Sequence, residues 1–163
     1  MIEENEIREG ELTVEMPKAS DAGLVFIGRI RTPWKSREDT PRQGSQNGPV
    51  CRLEIFEPWV PALKGVDFYN HLEVIYWLHH SRRNLVLHSP KNNKSTRGTF
   101  SLRSPVRPNP IGTSIVKLVG IEGSTVLVRG LDCLDQTPLL DLKPDRCEFS
   151  PLAAQKVGDV ETE

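Results

Sequence analysis

A stretch of ten residues, 103–112, has the clearest potential for chemistry in this 163-residue chain. It reads RSPVRPNPIG and has prolines at positions 105, 108 and 110. Proline fixes its own φ near about −65° and disfavours helical backbone in the residue before it. We therefore expect a stiff, extended loop that holds Arg103, Arg107 and Asn109 in fixed directions. Such a basic loop could serve as a binding platform, but these residues alone favour an ordinary proline-rich connection.

The tripeptide Pro41-Arg42-Gln43 and the pair His79-His80 are two further candidates. The tripeptide lies in a loop, predicted from the prolines and glycines of residues 32–49, where its side chains can reach a ligand. The histidines end an apolar run, residues 72–78, that predicts a buried strand. Because neighbouring strand residues point to opposite faces, we expect one ring to face a site and the other to be structural. The same geometry disfavours a metal site made of this pair and His88.

Several common catalytic motifs are missing from the sequence. It has no GxGxxG, GxxxxGK[ST], GxSxG or HExxH pattern, which disfavours a Rossmann site, a phosphate loop, a serine hydrolase and a zinc protease. Its three cysteines form no CxxC pair, so we expect reduced thiols, a cytoplasmic protein and no metal. The sequence has no apolar run long enough to predict a membrane span. It also has no charged-then-apolar leader of the kind that predicts a secretory signal.

Charged residues are distributed unevenly along the chain. Residues 1–22 carry seven acids and two bases, whereas residues 23–150 carry twelve acids and eighteen bases. No acid occurs from residue 74 to residue 121. This acid-free run favours an anionic partner, nucleic acid first, over a solvated face of mixed purpose. The candidates for phosphate contacts are Arg82, Arg83, Lys91, Lys94, Arg97 and Arg107.

Short alternating segments separated by turn residues dominate the sequence. One helical turn is predicted at 59–63 and a hairpin turn at 120–123, with strands over residues 24–31, 50–56, 72–78, 85–88, 113–119, 124–131 and 139–142. This pattern predicts an all-β, barrel-like single domain with little helix. We expect the domain over residues 23–150, between an acidic N-terminal arm (1–22) that either packs or stays disordered and a C-terminal tail (151–163).

The decapeptide at 103–112 resembles the signature of the TsaA-like family, whose best-known members are the TrmO tRNA methyltransferases. Further segments agree with this family in the same order: IGRIRTPW (27–34), PRQ (41–43), HH (79–80), LDCLDQTP (131–138) and DLKP (141–144). The resemblance covers about residues 24–150. It implies a β-barrel-like domain that forms a dimer and binds S-adenosylmethionine outside the Rossmann scheme.

The resemblance also implies an activity, which is methyl transfer to N6 of threonylcarbamoyladenosine next to the anticodon of tRNA. Such a reaction mainly needs in-line positioning, and it needs a base if the accepting nitrogen carries a proton. The candidates for this base are His79, His80 and Asp135. The cofactor-binding residues that the matched motifs imply are Pro41, Arg42, Gln43, His79, His80, Arg103, Thr113, Asp135, Gln136, Thr137 and Pro138.

Three departures from the family pattern keep a second interpretation open, and one of them is Asp145, which stands where the family usually has an aromatic residue after Lys-Pro. Gln136 stands where the family turn Asp-Gly-Thr-Pro has its glycine, so a positive φ at this position would strain the turn. Long-form members have a second domain after the barrel, whereas this sequence ends about twenty residues past Lys143, as expected of a short form. The alternative is a non-catalytic S-adenosylmethionine-binding module or sensor that acts through a partner.

Overall fold

The computed structural model describes residues 7–20, 22–92 and 94–149 of the chain. This part is mostly extended, with 3-10 turns at Val60–Leu63, Val66–Phe68 and Thr99–Ser101, and none of its helices is long and apolar enough to cross a membrane. The strands and the α-helix, numbered in chain order, are β1 (Leu12–Thr13), β2 (Gly28–Arg31), β3 (Cys51–Ile55), β4 (His71–Trp77), β5 (Leu85–His88), β6 (Arg97–Gly98), β7 (Ile111–Glu122), β8 (Thr125–Arg129), β9 (Thr137–Pro144) and α1 (Arg146–Phe149).

Six strands close into a barrel in the order β2-β3-β8-β7-β4-β9, and β9 pairs again with β2. All neighbours in the barrel are antiparallel. Residues alternate between the interior and the exterior, as β4 shows: Leu72, Val74 and Tyr76 are buried, whereas the residues between them are half-buried. The apolar interior is completed by side chains of the other strands, among them Ile30, Leu53, Val116, Val126, Val128 and Leu139. The predicted all-β barrel is confirmed.

A small second sheet, in the order β1-β5-β6, packs the N-terminal arm against the rest of the chain. In this sheet Leu12 pairs with Leu87, and the next residues continue the contact, since the Val14 N–H donates to the Asn84 carbonyl at 2.8 Å. Residues 8–14 of the predicted arm therefore pack, whereas residues 15–20 and 22 are exposed. Residues 1–6 and 21, like the predicted tail, lie outside the described residues.

Three predicted element boundaries were wrong. The first barrel strand begins at Gly28 rather than at residue 24, because residues 24–26 have exposed side chains and lie outside the sheet. The β7–β8 hairpin turns at Gly123, where φ is +60°, because β7 continues through residues 120–122 with a register shift instead of ending before them. Thr137 and Pro138 were expected in a turn, but both are paired residues of β9.

Candidate functional site

A cavity of about 540 Å³, the main cavity, lies where the loop 103–110 meets the first residues of β7 and the segment Thr40–Arg42. Its volume lies within the range of about 300–1,000 Å³ that is usual for small-molecule sites. Leu78, Phe100 and Ile111 contribute apolar surface to its wall. Polar and charged side chains line the remainder, so the cavity can hold a ligand with both an apolar and a charged part.

A smaller cavity of about 190 Å³, the side cavity, adjoins the main cavity. The two have one wall in common, because both are lined by Thr40, Leu78, Pro105, Asp132 and Cys133. The predicted residues His79, His80 and Thr137 line the side cavity. Burial raises the pKa of the Cys133 thiol to about 12, so this residue of the shared wall is not a thiolate at neutral pH.

Close packing between β4 and β7 determines the floor of the main cavity. Tyr76 pairs directly with Gly112, and a Cβ on Gly112 would lie 2.3 Å from the tyrosine ring. Only glycine leaves room for this ring. The Leu78 N–H then donates to the Pro110 carbonyl at 2.8 Å, which joins the end of β4 to the proline-rich loop.

Two arginines hold the proline-rich loop in place. Arg107 donates to the Leu102 carbonyl at 2.6 Å, and Arg83 donates to the Pro108 carbonyl at 2.6 Å. The Arg83 guanidinium also stacks over the Trp77 ring, with its carbon 5.3 Å from the ring centroid. Both residues were predicted to contact RNA phosphates, which stays a prediction; the alternative for Arg107, that it holds the loop to its neighbours, agrees with these hydrogen bonds.

Arg42 and Arg103 were both predicted to bind the cofactor, and both line the main cavity. Arg42 comes from the loop before β3 and Arg103 from the proline-rich loop. Both are exposed, and neither has a hydrogen bond or an ion pair within the described part of the chain. An unpaired guanidinium beside a cavity is suited to a carboxylate or a phosphate. Pro41 and Thr113, also predicted, line the same cavity.

A buried tyrosine orients the carboxylate in the shared wall. The Tyr76 hydroxyl donates to Oδ1 of Asp132 at 3.2 Å and lies 2.9 Å from the Ser114 hydroxyl. Burial, followed by the charge of Asp132, raises the pKa of Tyr76 well above its usual range, so the phenol remains a donor. Neither Tyr76 nor Asp132 was among the predicted site residues. The available signal was that Asp132 lies three residues before Asp135, in a segment that matched the family.

The prediction that His79 and His80 point to opposite faces was wrong. Their ring centroids lie 3.8 Å apart, and both residues follow β4 in a turn closed by a 2.9 Å hydrogen bond from the His79 N–H to the Trp77 carbonyl. Strand alternation does not apply in a turn. Burial, and then the neighbouring His80, lowers the pKa of His79, so its imidazole is neutral at pH 7 and can accept a proton.

Asp135 lies outside both cavities and has structural partners. Its Oδ1 accepts hydrogen bonds from Nε of Arg31 at 2.9 Å and from the Thr32 N–H at 3.1 Å, and its Oδ2 pairs with Lys35. Burial alone would raise the pKa of Asp135. Hydrogen bonds from Lys35, Arg31 and Thr32 outweigh this effect and lower the pKa to about 2. A carboxylate of such low basicity is a poor proton acceptor.

The other predicted residues of this turn and of the PRQ tripeptide divide between the cavities and the surface. Gln136 has φ +68°, as its glycine-replacing position suggested, and it lines neither cavity. Pro138 pairs with Arg29 in the barrel, and Gln43 is exposed outside both cavities. Thr137 lines the side cavity, but it is almost fully buried and its Oγ1 donates to the Leu134 carbonyl at 2.7 Å.

The remaining basic candidates lie on the surface formed by β5, β6 and the loop between them. Arg82 donates to Oδ1 of Asn84 at 2.8 Å, Arg97 donates to the Ser101 carbonyl at 3.2 Å, and Lys94 pairs with Glu9 at 3.1 Å. Lys91 is exposed. In the part of the chain that the structure describes, no three His, Cys, Asp or Glu side chains are grouped so that they could hold a metal ion.

Comparison with known protein families shows which family this chain belongs to. Residues 29–149 match the family described as the tRNA-methyltransferase O N-terminal domain. The chain belongs to the TrmO family. The TrmO-family match includes the proline-rich loop, the paired histidines and both aspartates of the 131–138 segment.

Individual TrmO-family proteins show how far this similarity extends. The chain is 61% identical over 147 residues to the "Probable S-adenosyl-L-methionine-binding protein VirR" of Rhizobium radiobacter, covering 90% of this chain and 84% of that protein. It is 34% identical to the "tRNA (adenine(37)-N6)-methyltransferase" of Mus musculus, covering 77% of this chain and 32% of that one. The crystal structure of TrmO from P. aeruginosa superimposes with a TM-score of 0.67 at 30% identity, covering 87% of this chain and 62% of that one.

The shared region is therefore nearly all of some relatives and only part of others. The chain spans just under two thirds of the P. aeruginosa TrmO chain and about one third of the mouse methyltransferase. In both cases the similarity supports a TrmO-type barrel.

Proposed function

We propose that this protein is an S-adenosylmethionine-dependent methyltransferase of the cytoplasm that methylates N6 of threonylcarbamoyladenosine beside the anticodon of tRNA. The observation that carries the proposal is the meeting of Arg42, Arg103 and Asp132 around one cavity. These residues are far apart in the sequence and are brought together only by the barrel. Relatives named as tRNA methyltransferases and as S-adenosylmethionine-binding proteins support the same function.

The charges around the main cavity fit the amino-acid part of S-adenosylmethionine. Arg42 and Arg103 would hold its carboxylate, and Asp132, oriented by Tyr76, would hold its ammonium group. Leu78, together with the other apolar residues of the wall, would pack against the nucleoside part. When bound, S-adenosylmethionine supplies a methyl group on a sulfonium, which is an excellent leaving group.

The residues of the chain then have two tasks, which are to position the acceptor and to take up a proton. His79 lines the side cavity, and its lowered pKa keeps the imidazole neutral, so we assign it as the proton acceptor. His80, in ring contact with it, contributes to that lowered pKa. Since Asp135 is paired with Arg31 and Lys35 outside the cavities, it has no part in the proposed mechanism.

RNA would approach from the side of β5 and β6, where Arg82, Lys91, Lys94 and Arg97 would contact its phosphates. A homodimer, which the family resemblance implied, is part of the proposal. On the outer face of β7 the side chains of Ile115 and Val119 are more than 40% exposed, which favours such contact between copies.

A second candidate function rests on a separate observation. The relative that is 61% identical is named only as a probable S-adenosylmethionine-binding protein. The protein would then bind the cofactor as a module or sensor that acts through a partner, without methyl transfer. Cofactor affinity would be the same in both cases, so only an assay for methyl transfer separates them.

Calorimetric titration with S-adenosylmethionine tests the proposed cofactor site. We expect binding by the unmodified protein and a loss of about tenfold or more on Arg103→Ala, because a hydrogen bond to a charged group is worth about 1.5–3 kcal/mol. Arg52→Ala is the matched control, since this exposed arginine lies on β3 outside the cavities. Transfer of a labelled methyl group to tRNA carrying threonylcarbamoyladenosine would then establish catalysis. Binding without transfer would favour the module, and no binding would refute both functions.

A further inference from the structure

A third cavity, of about 520 Å³, lies between the N-terminal arm, β5 and the proline-rich loop. We call it the arm cavity, because Arg8 and Glu11 of the arm form one side of it. The arm is held there by a 2.8 Å hydrogen bond from Arg8 to the Ser89 carbonyl and by a 2.9 Å hydrogen bond from the Ser89 N–H to Glu11. The cofactor site proposed above does not use this cavity.

The arm cavity is lined by more positive than negative charge. Among the described residues that line it, the acids are Glu11 and Glu38 and the arginines are Arg8, Arg37, Arg82 and Arg103. Glu11 is already engaged, because it also accepts a 3.0 Å hydrogen bond from the Arg8 N–H. The surplus of guanidinium groups therefore favours an anionic ligand.

Two buried polar atoms of the lining lack a partner in the described part of the chain. They are Nε2 of His88 and Oγ of Ser89, in residues that are 6% and 0% exposed. Buried polar atoms are nearly always hydrogen-bonded, so an unpaired pair in one cavity wall indicates a missing partner. A group rich in oxygen atoms would satisfy both.

The arm cavity and the main cavity have residues 102–104 in common. The Arg103 guanidinium thus belongs to the wall between them. A ligand in the arm cavity would lie next to whatever occupies the main cavity. The proposed function places S-adenosylmethionine in the main cavity, so a phosphate bound in the arm cavity would hold the RNA next to the cofactor.

We infer that the arm cavity binds a backbone phosphate of the RNA substrate, with Arg82, Ser89 and the arm residue Arg8 as its contacts. The inference rests on the proposed function, because it names the part of the RNA that this second cavity recognises. A free phosphate compound would have the same chemistry, and the experiment below separates these two sources. The site differs from a diffuse basic surface in that it includes a buried hydroxyl.

Ser89→Ala is the decisive variant. It removes only the unpaired hydroxyl and leaves the backbone hydrogen bonds of Ser89 intact, so we expect the protein to fold normally. Affinity for a full-length tRNA transcript should fall by about tenfold, as expected when a hydrogen bond to a charged group is lost. Arg82→Gln should weaken the same binding and reduce the slope of log affinity against log salt concentration by about one. Lys64→Gln, which removes a positive charge outside the arm cavity, should change affinity much less.

Titration with S-adenosylmethionine keeps this test separate from the proposed function. If cofactor binding is normal in both variants and RNA binding is weakened, the inference is supported. If cofactor binding is normal and RNA affinity is unchanged in both variants, it is overturned. Titration with sodium pyrophosphate distinguishes RNA from a free phosphate compound. If Ser89→Ala abolishes pyrophosphate binding but leaves RNA affinity unchanged, the cavity is a site for a small anion and the assignment to RNA is overturned. Failure of cofactor binding by the unmodified protein would refute the proposed function without changing the comparison of RNA affinities.

Discussion

The Tyr76 hydroxyl lies 3.2 Å from Oδ1 of Asp132 and connects the interior of the barrel to the wall shared by the main and side cavities. Tyr76 is only 4% exposed, whereas Asp132 is half-buried at the surface of both cavities. The core therefore controls the orientation of a carboxylate that the ligand can reach.

Tyr76→Phe should weaken S-adenosylmethionine binding several-fold and lower the free energy of unfolding by about 1–2 kcal/mol. The ring still fills the core, but Asp132 and Ser114 lose their partner. Calorimetry and urea unfolding measure the two effects. Tyr69→Phe is the control, because Tyr69 packs against the core and its hydroxyl has no hydrogen-bond partner among the described residues. Equal cofactor affinity in both variants would show that the Tyr76 hydroxyl has no role in positioning Asp132.

Gly112→Ala should destabilise the protein by about 1–3 kcal/mol, because the new methyl group would lie 2.3 Å from the Tyr76 ring. Gly120→Ala is a matched control on the same strand, since a Cβ at Gly120 would have no atom within 4 Å. Urea unfolding of both variants gives the comparison. If Gly112→Ala is as mild as the control, the packing of β4 on β7 is looser than the structure shows.

His79→Gln should reduce the rate of methyl transfer by about 10²-fold or more, with little change in cofactor affinity, if His79 takes up the proton. Because His79 must be neutral to accept a proton, the rate should fall at acid pH. The midpoint of this acid limb of the pH–rate profile should lie below the ordinary histidine pKa of about 6.5. In His80→Gln this limb should move to higher pH, since one cause of the lowered pKa is removed. A pH–rate profile that is the same in His80→Gln would argue against His79 as the base.

Gln136→Gly should stabilise the protein by about 1 kcal/mol. The residue has φ +68°, a conformation that costs about 1–2 kcal/mol for residues with a Cβ, and the greater freedom of glycine in the unfolded chain offsets part of the gain. Gln136→Ala keeps the Cβ and should give no such gain. Thermal unfolding of the two variants measures the difference, and equal stability would mean that the turn is not strained.

Asp135→Asn should lower the free energy of unfolding at pH 7 by about 1–2 kcal/mol, a value reduced for the exposure of its cationic partners. The folded-state pKa of Asp135, about 2, is below its unfolded value, so its contribution is complete above about pH 4 and is lost as the pH falls to 2. The difference between the two proteins should therefore vanish over this range. Urea unfolding at several pH values measures it, and a difference independent of pH would contradict this account.

Local features of the chain could be predicted from the sequence because their causes are local. The three prolines of residues 105–110 exclude helix and sheet through their own rings, and the loop has neither; the prediction that it is extended was wrong, because it bends at residues 105 and 107–109. Alternation in residues 72–78 predicted β4, and turn residues between short strands predicted an all-β barrel. Gln136 was identified as a strained position from its place in the matched turn, and its φ is positive.

The tertiary structure determined which polar residues line a cavity and which pair with other parts of the protein. Arg103 and Arg107 belong to the same loop, yet Arg103 faces the cavity unpaired while Arg107 holds the loop by donating to the Leu102 carbonyl. Asp132 and Asp135 are three residues apart, yet Asp132 lines both cavities and Asp135 pairs with Arg31. Which partner a side chain meets depends on strands that are distant in sequence. Composition and spacing determined the barrel and its basic loop, whereas long-range strand pairing determined which charges remain available to a ligand.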